Sequence, residues 1–139
     1  MQTVLQHGLA LQDLKEAFKL DSAIVLAAVS QHGLALQYAG ELLKSDHKIV
    51  LAAVSQDGKA LEHAAESLQS NLEIVMAAVS QDGVALEYAA EEWRRDRDVA
   101  STAVFQDEAA LEFASPHLIE DPTFAVDARG ALFLFRVIA

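Results

Sequence analysis

Hydrophobic positions along this chain fall into two alternating patterns. Runs such as IVLAAV, beginning at Ile24 and Ile49, and IVMAAV, beginning at Ile74, are apolar at nearly every position. Each is followed by a stretch such as KALEHAAESLQ, where Ala60, Leu61, Ala64 and Leu68 share one helical stripe and Glu62 and Glu66 another. The first pattern predicts a helix covered on several sides, and the second an amphipathic helix with one face in water. The paired alanines Ala27-Ala28, Ala52-Ala53 and Ala77-Ala78 predict close approach of neighbouring backbones.

The alternation is periodic. Asp21, Asp46, Asn71, Asp96 and Asp121 stand 25 residues apart, and the same step links Gln6, Gln31, Gln56, Gln81 and Gln106. Leu11, Leu36, Leu61, Leu86 and Leu111 form another column, and Gly8, Gly33, Gly58 and Gly83 one that breaks at Glu108. Met1 to Leu20 match the second part of a unit. Asp or Asn opening each unit suits an N-cap, and Pro122 suits the first helical position of the fifth. Each glycine is expected to close the first helix in the left-handed conformation. Glu108 would then carry a strain of roughly 1 kcal/mol, and the fourth unit is expected to bend differently there. Ser115-Pro116 should kink or restart the second helix of that unit.

One unit cannot bury both of its apolar stripes, whereas stacked units cover one another. The expected fold is therefore all-α, a solenoid-like array of helix pairs over residues 1–128, with about five units of which the first and last are partial. A leucine-rich-repeat-like α/β horseshoe, with IVLAAV as a parallel strand, is the competing architecture at this period. Adjacent alanines are poor strand formers, and the Asp and Gly positions are helix punctuation.

The units DHKIVLAAVSQDGKALEHAAESLQS and NLEIVMAAVSQDGVALEYAAEEWRR resemble the repeat family called domain of unknown function 4116. The resembling features are the opening Asp, the Ala-Ala-Val helix and the Gln-x-Gly-x-Ala-Leu segment, and they extend over roughly Gln6 to Asp121. The resemblance implies tandem α-helical repeats serving as an interaction module, and it transfers no catalytic residue.

Charge narrows the partner. Asp and Glu number 21 against 10 Lys and Arg, a net charge of -11, which disfavours nucleic acid, whose phosphates need clustered cations. Glu62, Glu87 and Glu112 share one repeat position, and Glu66 and Glu91 another, with Asp57, Asp82 and Asp107 alongside. Stacking would line them into an anionic stripe, read either as a solvated face or as a site for a basic protein partner. The glutamine column (Gln31, Gln56, Gln81, Gln106) is expected to be structural, each amide satisfying backbone carbonyls nearby, like the glycine column Gly33, Gly58 and Gly83.

Trp93 falls in the apolar column of Leu43, Leu68 and Leu118, and Arg94, Arg95 and Arg97 are expected to pair with neighbouring carboxylates. His63 and Glu66 have a spacing that can serve a metal, but no dense ligand cluster accompanies them. Ser30, Ser55 and Ser80 recur without a matching His–Asp arrangement, so no enzyme activity, cofactor or metal is expected. No cysteine is present. No signal peptide and no run of the ~20 apolar residues needed to span a bilayer is visible, so the expected setting is cytoplasmic and not membrane-bound. The C-terminal segment 129–139, with the apolar tail ALFLFRVIA at residues 131–139, is expected to cap the last unit; the alternative is a self-assembling element joined through its terminal units and this tail.

Overall fold

A computed structural model describes residues 20–124. Four complete units fill this span, and their elements recur at the 25-residue step. The first unit comprises α1 (Ser22–Gln31), the 3-10 helix η1 (Gly33–Tyr38) and the short α2 (Glu41–Lys44). The second comprises α3 (His47–Gln56), η2 (Gly58–His63) and α4 (Glu66–Gln69). The third comprises α5 (Leu72–Gln81), η3 (Gly83–Tyr88) and α6 (Glu91–Arg94), and the fourth α7 (Arg97–Gln106), η4 (Glu108–Phe113) and α8 (Pro116–Ile119). The fold is all-α, and no strand occurs among the described residues, which removes the horseshoe alternative.

Each long helix starts where the sequence places a cap. Asp46 Oδ1 accepts from the Lys48 and Ile49 N–H groups at 2.9 and 3.2 Å, and Asn71 Oδ1 from Ile74 at 3.1 Å. These bonds satisfy donors that the first helical turn leaves without an intrahelical acceptor. Asp121 repeats the arrangement on Thr123 and Phe124, so a fifth unit begins in register.

The long helices α1, α3, α5 and α7 stack side by side as one layer, and η1 to η4 as a second. Between the layers lie Val50, Val54, Ala60 and Leu61 of the second unit and their counterparts, all fully buried except Leu111 of the fourth unit, which is partly buried. Withdrawing a leucine such as Leu61 from water contributes roughly 1.5–3 kcal/mol. Of each alanine pair, the second member (Ala28, Ala53, Ala78) is fully buried, while the first keeps some exposure.

The segment expected as one amphipathic helix is two. In the second unit it breaks at Ala64 and Ala65, which take extended backbone with ψ of 152 and 151°. The cause lies in the adjacent unit: Ala65 N–H donates to the Lys44 carbonyl at 3.0 Å, and Ala90 to Gln69 and Ser115 to Arg94 repeat the bond at 2.9 Å. The Ser115-Pro116 restart of the fourth unit is thus the common break of every unit, with proline at the start of the short helix.

The glycine expectation is also corrected. No glycine among the described residues has positive φ. The long helix ends instead at an extended Asp57 (φ -149°, ψ 109°), and Gly58 opens the 3-10 helix. Glu108 therefore carries no left-handed strain, and η4 matches the other 3-10 helices in position and length. The fourth unit does not bend away at Glu108.

Trp93 packs partly buried against the core, with Nε1 donating to the Ser70 carbonyl of the preceding unit at 2.6 Å. The arginines find internal partners: Arg94 Nε the Phe113 carbonyl at 2.7 Å, Arg95 the Glu91 carboxylate at 3.0 Å, and Arg97 the Asp121 carboxylate at 3.5 Å. No helix among the described residues is long and apolar enough to cross a membrane. The tail 131–139, and Gln6, His7 and Gly8, lie outside the described residues.

Candidate binding face

Glu62, Glu87 and Glu112 occupy the fifth position of η2, η3 and η4, three 3-10 helices that pack in succession. All three are exposed. The apolar Ala and Leu that precede each of them turn inward, which leaves the glutamate on the outer side. Glu66 and Glu91 open the short helices α4 and α6 and are likewise exposed, and this second column stops at Pro116.

A third column, passed over in reading the chain, runs beside the glutamates. Tyr38, His63, Tyr88 and Phe113 close the four 3-10 helices, each half-buried against the core or its edge. Its signal was the same 25-residue step, obscured because one member is a histidine among aromatic rings. Burial raises the Tyr88 phenol above its usual value, and the carboxylates of Glu62 and Glu87, with a hydrogen bond to Glu87, push it the same way. Glutamates of two consecutive units thus act on one ring. Burial lowers His63, with Glu62 opposing and Lys44 reinforcing.

The ion pairs on this face are sparse and wet. Glu91 meets Arg95, and Glu62 stands 3.9 Å from His63 Nε2, which makes an ion pair only when the imidazole is protonated. Exposed pairs of this kind contribute about 0–1 kcal/mol, so they hold these carboxylates only loosely. Asp57, Asp82 and Asp107 are engaged elsewhere: their Oδ1 atoms accept from the backbone N–H two residues on, at 2.9–3.0 Å, and cap the 3-10 helices.

His63 and Glu66 do not share a helix, because the Ala64–Ala65 break separates them. Among the described residues, no three His, Asp or Glu side chains come together closely enough to hold a metal ion. An open depression of about 460 Å³ lies on the long-helix layer, lined by Ser80, Thr102, Phe105 and Gln106, and none of the five glutamates borders it.

The glutamine and glycine columns meet each other between units. Gln56 Oε1 accepts from the Gly33 N–H and Gln81 Oε1 from the Gly58 N–H, both at 2.6 Å, and Gln106 does the same for Gly83. The oxygen end, not the expected nitrogen end, makes the recurring bond. Gln106 Nε2 also reaches the Gln81 carbonyl, at 3.4 Å. A Cβ built on Gly33, Gly58 or Gly83 would lie well under 3.0 Å from the carbonyl oxygen of Ala53, Ala78 or Ala103 in the next unit. Glycine is required for this close approach, and its hydrogen points at the oxygen in the manner of a weak Cα–H···O contact.

Three segments, residues 1–44, 21–69 and 71–119, match the family model described as domain of unknown function (DUF4116). No curated protein and no solved structure gives a significant match.

Proposed function

Because the chain belongs to the DUF4116 repeat family, whose description assigns it no activity, we propose that it is a non-enzymatic module that binds a basic protein surface. The glutamates Glu62, Glu87 and Glu112 form the centre of the binding face, flanked by Glu66 and Glu91. The observation that carries this reading is the recurrence of an exposed carboxylate at one position of three successive packed 3-10 helices. Packed helices stand roughly 8–10 Å apart, so the charges repeat at a spacing that a protein surface can match. The half-buried column of Tyr38, His63, Tyr88 and Phe113 adds partly exposed rings beside those charges, and the faces of the Tyr and Phe rings attract lysine and arginine side chains. The net charge of -11 steers cationic partners and repels anionic ones.

The test is reversal of Glu62, Glu87 and Glu112 to lysine in the full chain, with circular dichroism to establish that the helices remain. Binding to a lysine-rich peptide and to its glutamate counterpart is then compared by calorimetry at low and high salt. The wild-type chain should bind the lysine-rich peptide in a salt-dependent way, and the reversed chain should not. Equal binding by both chains overturns the proposal.

A further inference from the structure

The long helices carry a second broad surface, on the side of the core opposite the 3-10 layer. In each of them the third, fourth, seventh and eighth residues are buried, as Ile49, Val50, Ala53 and Val54 are in α3. The ninth residue lies on the other side of the helix and is exposed: Ser30, Ser55, Ser80 and Phe105. Leu26, Leu51 and Met76, at the fifth position, are partly buried and line the grooves between helices. No charged side chain occurs in the last eight residues of any of the four. Their charges are confined to the first two positions: His47 and Lys48 in α3, Glu73 in α5, Arg97 and Asp98 in α7. A chain of net charge -11 thus keeps one face neutral over most of its breadth, where solvated surfaces normally intersperse both signs.

We propose that two copies of the chain pair through this face, long-helix layer against long-helix layer, about a twofold axis running along the helices between α3 and α5. Charge selects both the occupant and the axis. The 3-10 face would set glutamates against glutamates when two copies meet, whereas the long-helix face sets neutral surface against neutral surface. With the axis along the helices, α3 of one copy lies over α5 of the other, first turn over first turn. Lys48 then meets the partner's Glu73, and Glu73 the partner's Lys48. Lys48 is exposed, and Glu73 lies 3.1 Å from His47 of its own chain yet keeps 64% of its side chain exposed, which leaves room for a second cation. An axis across the helices would set the charged first turns over uncharged last turns and gain no such pair. The same arrangement places the Phe105 ring opposite the small Ser30 of the other copy. Helices of ten residues are about 15 Å long and four abreast span roughly 36 Å, so each copy contributes about 500 Å² before corrugation. The two together reach the roughly 1,000 Å² that a specific interface requires, at the small end of the range, so the dimer is expected to be a weak one of micromolar affinity. Pairing leaves Glu62, Glu87 and Glu112 exposed on both outer sides.

The experiment is sedimentation equilibrium of the full chain over a concentration series reaching the millimolar range. The wild-type chain is compared with Lys48→Glu, with Glu73→Lys, with the two reversals together, and with Ser55→Glu plus Ser80→Glu. All four positions are exposed, and circular dichroism establishes that each variant keeps its helices. Either single reversal sets like charges across the axis and should raise the dimer dissociation constant roughly tenfold or more. The double reversal restores opposite charges and should return it to within about threefold of wild type. Glutamates at positions 55 and 80 bring four carboxylates together at the centre of the face and should leave only monomer. The proposal fails if the wild-type chain is monomeric throughout, or if the double reversal dimerises no better than the single ones. It fails equally if the Ser55→Glu, Ser80→Glu chain dimerises like wild type, which would put the contact on another surface, such as the segment 129–139.

Discussion

Gln81 and Gly58 lie 23 residues apart in the chain, yet the Gln81 Oε1 accepts the Gly58 N–H at 2.6 Å across the joint between the second and third units. Gly58 is buried, so without that oxygen its N–H would be left unsatisfied away from water. Gln81→Ala is therefore expected to cost about 1–3 kcal/mol, the penalty for a buried donor that loses its acceptor. Gln81→Glu retains an acceptor and should lose less. Urea unfolding followed by circular dichroism decides it; an alanine variant as stable as wild type would show that the bond contributes nothing.

Gly58→Ala tests the other half of the joint and has an unusual sign. Alanine in a helix is ordinarily favoured over glycine by about 0.5–1 kcal/mol. Here its Cβ would be driven against the Ala78 carbonyl oxygen, which belongs to backbone and cannot rotate away. Overpacking of this kind costs roughly 1–3 kcal/mol or more. A Gly58→Ala chain with the urea midpoint of wild type would contradict the close approach.

These joints show where reading the chain succeeds and where it stops. The step between Asp46 and Asn71 reveals the unit, and the spacing of Ala60, Leu61 and Leu68 reveals its buried stripe, because both depend on positions within one unit. The outward placement of Glu62 and Glu87 follows from the same stripe. The break at Ala64–Ala65 does not, since its cause is a hydrogen bond to Lys44 in the preceding unit. Glycine is equally the residue of a left-handed cap and of a tight backbone approach, so the letter at position 58 does not choose between them. Glutamine carries a donor and an acceptor, and only the position of the Gly58 N–H shows which end is used.

The caps support a prediction that is local to one unit. Asp46→Ala removes the acceptor for the Lys48 and Ile49 N–H groups and should cost about 1 kcal/mol. Asp46→Asn, which reproduces the residue found at position 71, should recover most of it. Thermal unfolding of the three chains side by side gives the order directly; Asn no better than Ala would mean that Asp46 acts through its charge and not as a cap.

His63 gives the array a dependence on acid. Burial holds its imidazole below the ordinary value of 6.5 in the folded chain, with the Lys44 ammonium adding to the effect and Glu62 opposing it. Between the two values the unfolded chain binds a proton that the folded chain does not, so stability falls as pH drops from 6.5 through the lower, folded value. Above 6.5 the histidine is neutral in both states and contributes no slope. His63→Phe should remove this part of the acid sensitivity, because the fourth unit already carries Phe113 in the same column. Urea midpoints at a series of pH values from 7.5 downward, for the native chain and the variant, should run parallel above 6.5 and diverge below it. Profiles that remain parallel throughout would show that His63 is protonated as readily in the folded chain as in the unfolded one.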